Sequence, residues 1–235
     1  MPQTWLHALD SYGYPVDLTT YPRSDEHPGF FNLVIAGDRD STVAFEDRFR
    51  TLAPTSVAAF LEVVYWKLYS QGGRAKHRTS KLADGLRQRG VDPVDLWSAT
   101  SSLANHLCRR NLKRFRRVLG ISSPVLAVAL TFPAFACPDR VPMVDLSVAR
   151  WVNRSYPEHS AHRDSKLSPF PLRATTLNDG DFDSYLAWVY WCREVALVLS
   201  QNTSRLWRAR DVEMAVFAAS RSRLALRPLP RRSAP

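Results

Sequence analysis

Beyond Pro54 the apolar positions fall into helical register. Val57, Phe60, Leu61, Val64, Tyr65 and Leu68 recur three and four residues apart, which gathers them on one face of a helix. Pro54-Thr55 supplies its start signal and Gln71-Gly72-Gly73 its stop. A shorter helix is expected over 79–88, closed by Gly90 and Pro93. A longer one is expected over 95–118, with Leu103, Ala104, Leu107, Cys108, Leu112, Phe115, Val118 and Leu119 on its apolar side. Ser123 is a favourable N-cap and Pro124 a favourable first helical residue, so another helix is expected to begin there. Residues 125–130 are apolar all round, as a buried central helix would be, and that helix breaks near Pro133 and Pro138. Asp145 can cap a further helix over 146–153. After a polar, proline-bearing link over 155–180, two last helices are expected at 181–200 and 208–221.

The first 53 residues lack this periodicity. Tyr14-Pro15, Tyr21-Pro22 and His27-Pro28-Gly29 interrupt any helix. Residues 30–35 read as a short strand, which Ala36-Gly37-Asp38 turns into a hairpin with 42–45. The expectation is a mainly α protein without internal repeats. It would comprise an irregular N-terminal segment with short β structure over 1–53, a helical body over 54–222 and a flexible basic tail over 223–235.

Composition narrows the class. With 235 residues, 45% of them hydrophobic, the chain can bury a sizeable core. No apolar run reaches bilayer length, and Met1-Pro2-Gln3-Thr4-Trp5 lacks the plan of a secretory signal, so a cytoplasmic or nucleoid-associated protein is expected. Cys108, Cys137 and Cys192 are an odd set without metal spacing and read as structural thiols. The net charge of +10 is concentrated: residues 96–138 hold six basic residues and no acid, and 204–235 are net +6. Charge gathered in this way points to a polyanion.

The first of those clusters carries the candidate chemistry. Arg109, Arg110, Lys113, Arg116 and Arg117 lie mostly away from the apolar side of their helix. Gly120 tolerates positive φ, and the backbone amides of Gly120, Ile121, Ser122 and Ser123 would sit at the start of the next helix, where a phosphate oxygen can be bound. Asp145 has two open readings. It is a preferred N-cap residue, and it is a carboxylate able to stabilise positive charge on a sugar and orient a water.

Two segments carry a family resemblance. Leu119-Gly120-Ile121-Ser122-Ser123-Pro124-Val125-Leu126-Ala127-Val128-Ala129-Leu130 precedes Val141-Pro142-Met143-Val144-Asp145-Leu146-Ser147-Val148-Ala149-Arg150-Trp151-Val152. Together they resemble the signature of the helix-hairpin-helix DNA glycosylases, a hairpin and buried helix and then a Pro-(Val/Ile)-Asp helix start. The resemblance implies a two-lobed helical bundle with a cleft, duplex DNA as partner and a role in base-excision repair. Asp145 would be the catalytic residue, and 120–123 would be the phosphate-binding turn. It leaves room for a monovalent cation at the hairpin and implies no other cofactor. The departures are specific. Ser122 replaces the second hairpin glycine, and Met143 and the stretch 138–140 lengthen the approach to Asp145. Pro124 occupies the place of the lysine in bifunctional members, so no Schiff-base lyase chemistry is expected. The iron–sulfur cysteines are absent. A divergent, monofunctional N-glycosylase is the reading this favours. A catalytically inactive DNA-binding module or partner subunit is the alternative, and an unrelated helical protein that binds RNA or an acidic partner is a third.

A flipped base needs a pocket and a ring to stack on. Most of the rings sit at core spacing, and Trp66 with Lys67 are the candidates for a base pocket. The run from Trp207 to Glu213 reads either as a second backbone contact or as an Arg–Asp brace, the brace being favoured. His159 and His162 are the two histidines close in sequence, and no metal site is expected from them.

Overall fold

The computed structural model describes residues 2–121, 126–160, 166–171, 177–222 and 224–226, and these are mainly helical. The helices are α1 (Pro2–Asp10), α2 (Arg39–Leu52), α3 (Val57–Leu68), α4 (Gly73–Gln88), α5 (Pro93–Asn105), α6 (Arg109–Leu119), α7 (Leu126–Ala129), α8 (Thr131–Ala136), α9 (Leu146–Ser160), α10 (Phe182–Asn202) and α11 (Ala209–Ser222). Among the described residues one antiparallel pair forms the only sheet, β1 (Val16–Asp17) with β2 (Val34–Ile35), in the register Val16 to Ile35 and Asp17 to Val34.

The chain divides into two compact units. One holds the described residues of Met1–Gly13, Pro124–Ala127 and Cys137–Pro235, the other those of Tyr14–Ser123 and Val128–Ala136. The expected division at residue 53 is therefore corrected: the N-terminal stretch is shared between the units. Its beginning is helical and packs along α11, with the Tyr12 ring 5.9 Å from that of Phe217. Its end is helical as well. The stretch 42–45, expected as a strand, lies inside α2, because Asp38 caps that helix by accepting the Ser41 N–H at 2.7 Å. Thr42, Phe45, Glu46 and Phe49 are its buried face, three and four residues apart.

In the unit built on residues 14–136, rings from three helices meet. Phe49 of α2 packs against Phe60 of α3 and against Phe132 and Phe135 of α8, with centroids 5.2–6.2 Å apart. Glu62, buried in α3, accepts the Phe31 N–H at 2.7 Å and pairs with Arg48, which also donates to the Gly29 carbonyl. Burial raises the Glu62 carboxyl above its ordinary range, and Arg48 together with the Phe31 amide pulls it back. This buried acid thus holds the loop carrying Phe31, whose φ of 55° is left-handed.

The single helix expected over 95–118 is two helices. His106 and Cys108 are extended, and the Asn111 side chain donates to the carbonyls of Ser102 and His106 at 3.2 and 2.9 Å. That amide satisfies the end of α5 in place of the next helical turn. α6 then packs back on α5.

The unit of 1–13 and 137–226 is organised around α11, whose described side chains are buried from Ala209 to Ala219 and which packs on α1, α9 and α10. Trp5, Trp151, Trp188 and Trp191 form its aromatic core, Trp188 stacking on Trp191 at 5.4 Å. Both α10 and α11 begin within a residue or two of their expected starts. Asn178 and Asp181 cap each other's backbone ahead of α10, and Asp211 accepts the Arg208 N–H at the head of α11.

Candidate nucleic-acid interface and the Asp145 segment

α6 sorts its residues sharply. Leu112, Phe115, Arg116 and Leu119 point inward at the spacing i, i+3, i+4, i+7. Arg109, Arg110, Lys113, Arg114 and Arg117 together line an open, shallow concavity on the outer side. One assignment made from the sequence is corrected, and one residue it left out takes the place. Arg116, expected on the exposed side, is 7% exposed, and Arg114 stands in the cationic set instead. The helix stripe explains the exchange, since position 116 is four residues from both Leu112 and the Gly120 turn.

The N-terminal end of this face works against its own helix, whereas Arg117, in the last turn, suits the helix dipole. Arg109 and Arg110 occupy the first turn, where the helix dipole is positive, with no acid there and no side-chain cap from Cys108. The pairs 109/113, 110/114 and 113/117 set like charges one turn apart, each destabilising by roughly 0.2–0.5 kcal/mol in an isolated helix. A bound polyanion relieves both repulsions at once.

Gly120 ends α6 with φ 81° and ψ 25°, the left-handed conformation that favours glycine. Its N–H and that of Ile121 both donate to the Arg116 carbonyl, at 2.8 and 3.0 Å. These two amides close α6 and are thereby committed; Ser122, Ser123 and Pro124, the rest of the expected turn, lie outside the described residues. Arg89, just past α4, lies flat on the turn. It donates to the carbonyls of Gly85, Arg117 and Leu119 at 2.9, 3.3 and 3.1 Å, and its guanidinium sits where a Cβ on Gly120 would project. The C-terminal ends of α4 and α6 share this one cation.

Asp145 belongs to the other unit. Its Oδ1 accepts the Val148 N–H at 2.9 Å and its carbonyl accepts the Ala149 N–H at 2.9 Å, so it is the N-cap of α9. The carboxylate is half-buried, and its Oδ2 has no hydrogen-bond partner among the described residues. The backbone leading to it is held at three successive points along α10. Arg193 Nε donates to the Arg140 carbonyl at 2.6 Å, Tyr185 Oη to that of Pro142 at 3.1 Å, and Trp188 Nε1 to that of Met143 at 3.0 Å. Burial keeps the Tyr185 hydroxyl protonated far above its ordinary range and lowers Arg193. Ala209 and Arg210 of α11 also donate their N–H groups to the carbonyls of Asp139 and Pro138. The lengthened approach to Asp145 is thus a strapped segment. Tyr185 and Trp188 gave no sequence signal beyond apolar helical spacing, and Arg193 gave none.

The remaining candidates have structural surroundings. Trp66 is 1% exposed and packs against Tyr14, Phe45 and Phe135, so it is a core ring on which no base can stack as the fold stands. Lys67 is half-buried, and its carbonyl, like that of Trp66, accepts from Tyr14 Oη at 3.3 Å. Arg208 and Asp211 form the brace, with Nη2 to Oδ1 at 2.8 Å and Nε to Oδ2 at 3.2 Å, and fully buried Arg210 pairs with Glu213. His159 is buried among Trp5, Trp151 and Trp191, while His162 lies outside the described residues. Among the described residues no group of three or more His, Cys, Asp or Glu side chains is placed to hold a metal, and no helix is long and apolar enough to cross a membrane. Cys192 is buried, which raises its thiol well above the ordinary range, and Cys108 and Cys137 are half-buried free thiols.

Comparison with protein-family models, with curated proteins and with solved structures finds no match to this chain.

Proposed function

We propose that this protein binds duplex DNA through the outward cations of α6 and acts on it as a divergent, monofunctional N-glycosylase of the helix-hairpin-helix kind. The observation that carries the proposal is the single-sided, acid-free face of Arg109, Arg110, Lys113, Arg114 and Arg117, assembled against the local electrostatics of its own helix. Contacts to phosphate come from these side chains rather than from the Gly120 and Ile121 amides, which α6 uses itself. Each phosphate neutralised adds about 0.9 to the salt slope of binding.

In the reaction, Asp145 Oδ2 faces the sugar as its bond to the base breaks and positive charge develops at the anomeric carbon. Water adds to that carbon, and the base leaves with the bonding electron pair and a proton. Oδ1 stays on the Val148 amide, which fixes the carboxylate's direction through the step. Replacing Asp145 with Asn is the test. Asparagine caps a helix as well as aspartate does, so D145N should keep its fold and its duplex binding while base release from uracil-, oxidised- and alkylated-base duplexes disappears. Undiminished base release by D145N would sink the catalytic assignment.

A non-catalytic DNA-binding module is the second reading, favoured by the cap itself, which gives Asp145 a sufficient structural task. It calls for salt-sensitive duplex binding by the wild type and no base release across the same substrate panel.

A further inference from the structure

We infer that α4 carries a second phosphate-binding face, joined to that of α6 at Arg89, so that the duplex lies against both helices. The inference rests on the proposed reading of α6 and extends it to residues that the sequence patterning had not singled out.

Charge is the first ground. Residues 73–121 contain twelve Lys and Arg against Asp84, Asp92 and Asp95, a net of +9 out of the chain's +10. Half of those cations lie outside α6, on α4 and in the turn just after it. The second ground is how α4 is built. It buries Ala75, Thr79, Ala83 and Leu86 and exposes Arg74, Lys76, His77, Arg78 and Lys81. Its first turn holds Arg74 and Lys76 with no acid, and Gly72 gives no side-chain cap. Like α6, it begins with cations where the helix dipole disfavours them. Asp84, near its far end, is matched: it pairs with Arg23 at 2.5 Å, and Arg87 reaches Glu26 at 2.6 Å. Arg74, Lys76 and Lys81 make no ion pair among the described residues.

The third ground is continuity. Arg89 bonds to the last carbonyls of α6 while holding Gly85 of α4, so the C-terminal ends of the two cationic helices meet within one guanidinium. The choice of ligand comes from a feature both faces lack. Neither helix exposes an aromatic ring of Phe, Tyr or Trp, since Phe115, the only one on α6, is buried, and α4 has none. Unpaired bases are gripped by stacking on such rings. Cations alone suit a backbone whose bases are already paired, which is a duplex.

The test compares the full-length wild type with R74Q/K76Q/K81Q, and with K113Q/R117Q on α6, by titrating labelled duplex DNA over a salt series. Glutamine is well tolerated at exposed helix positions. The α4 triple variant should lower the magnitude of the salt slope by about 2–3 with an unchanged melting temperature. If it melts early, R74Q and K81Q are measured singly, each expected to remove about 1 from the slope. A wild-type slope in the α4 variants beside a reduced one in K113Q/R117Q overturns the inference and leaves the α6 reading intact. Absence of salt-dependent duplex binding by the wild type overturns both. Equal affinity for the single strand, or displacement of duplex by polyglutamate at equal charge, overturns the choice of a duplex.

Discussion

Trp188 Nε1–H donates to the Met143 carbonyl at 3.0 Å, two residues ahead of Asp145. The donor is fully buried, so the bond has no water to replace it. Trp188→Phe should therefore cost about 1–3 kcal/mol of stability by leaving a buried carbonyl unpaired. Differential scanning calorimetry reads that loss. If Asp145 is catalytic, base release at a temperature where the variant is folded should fall as well, because the strap that aims the carboxylate has lost an anchor. Unchanged stability would mean that the bond adds nothing to the fold.

Arg114 and Arg116 lie two residues apart and face different environments, an open cationic concavity and the interior. If α6 binds DNA as proposed, Arg114→Gln should lower the salt slope of that binding by about 1 and leave the melting temperature alone. Arg116→Gln should do the reverse, destabilising the fold while barely changing the slope. Fluorescence anisotropy and thermal melting on both variants separate the two roles, and a binding defect in Arg116→Gln alone would contradict the burial.

Gly120→Ala meets two obstacles, the left-handed backbone and the Arg89 guanidinium lying on it. The backbone alone costs about 1–2 kcal/mol. Arg89 must also leave the carbonyls of Arg117 and Leu119. A denaturant melt should show a loss of at least that size, and Arg89→Ala combined with Gly120→Ala should lose less than the sum of the two single changes.

His27 supplies a pH signature. Its Nε2 is buried without a partner among the described residues, and burial lowers the imidazole below its ordinary value of 6.5, with Arg87 and Arg23 pushing the same way and Glu26 opposing. The unfolded chain thus takes the proton more readily than the native one. Stability from this site is fully present above pH 6.5 and declines as the pH falls below it. His27→Gln should flatten the stability profile in that acid window, and an identical profile in wild type and variant would remove His27 as its source.

Much of the helical plan was legible because the deciding signals are local. Asp145 caps the helix just after it, and the apolar stripes of α3 and α10 repeat without interruption. The features that escaped depend on residues far apart in the chain or on one side chain's choice of partner. The break between α5 and α6 turns on where Asn111 sends its amide, and periodicity runs straight through it. The stretch 42–45 reads as the return strand of a hairpin turned at Ala36-Gly37-Asp38 until Asp38 is seen as a cap. At the candidate site, the basic helix and Asp145 could be picked out by residue type and spacing. The inward turn of Arg116 breaks the rule that arginines face water, and the basic face of α4 was hidden because only part of that helix was expected.

Arg89 also sets how this region opens. The carbonyls of Gly85, Arg117 and Leu119 all accept from a single side chain, so fraying at the end of either helix strips the other of its cap. The last turns of α4 and α6 should consequently exchange their amide hydrogens together, as one cooperative element rather than two. Arg89→Ala should uncouple them, with both ends exchanging faster and each at its own rate.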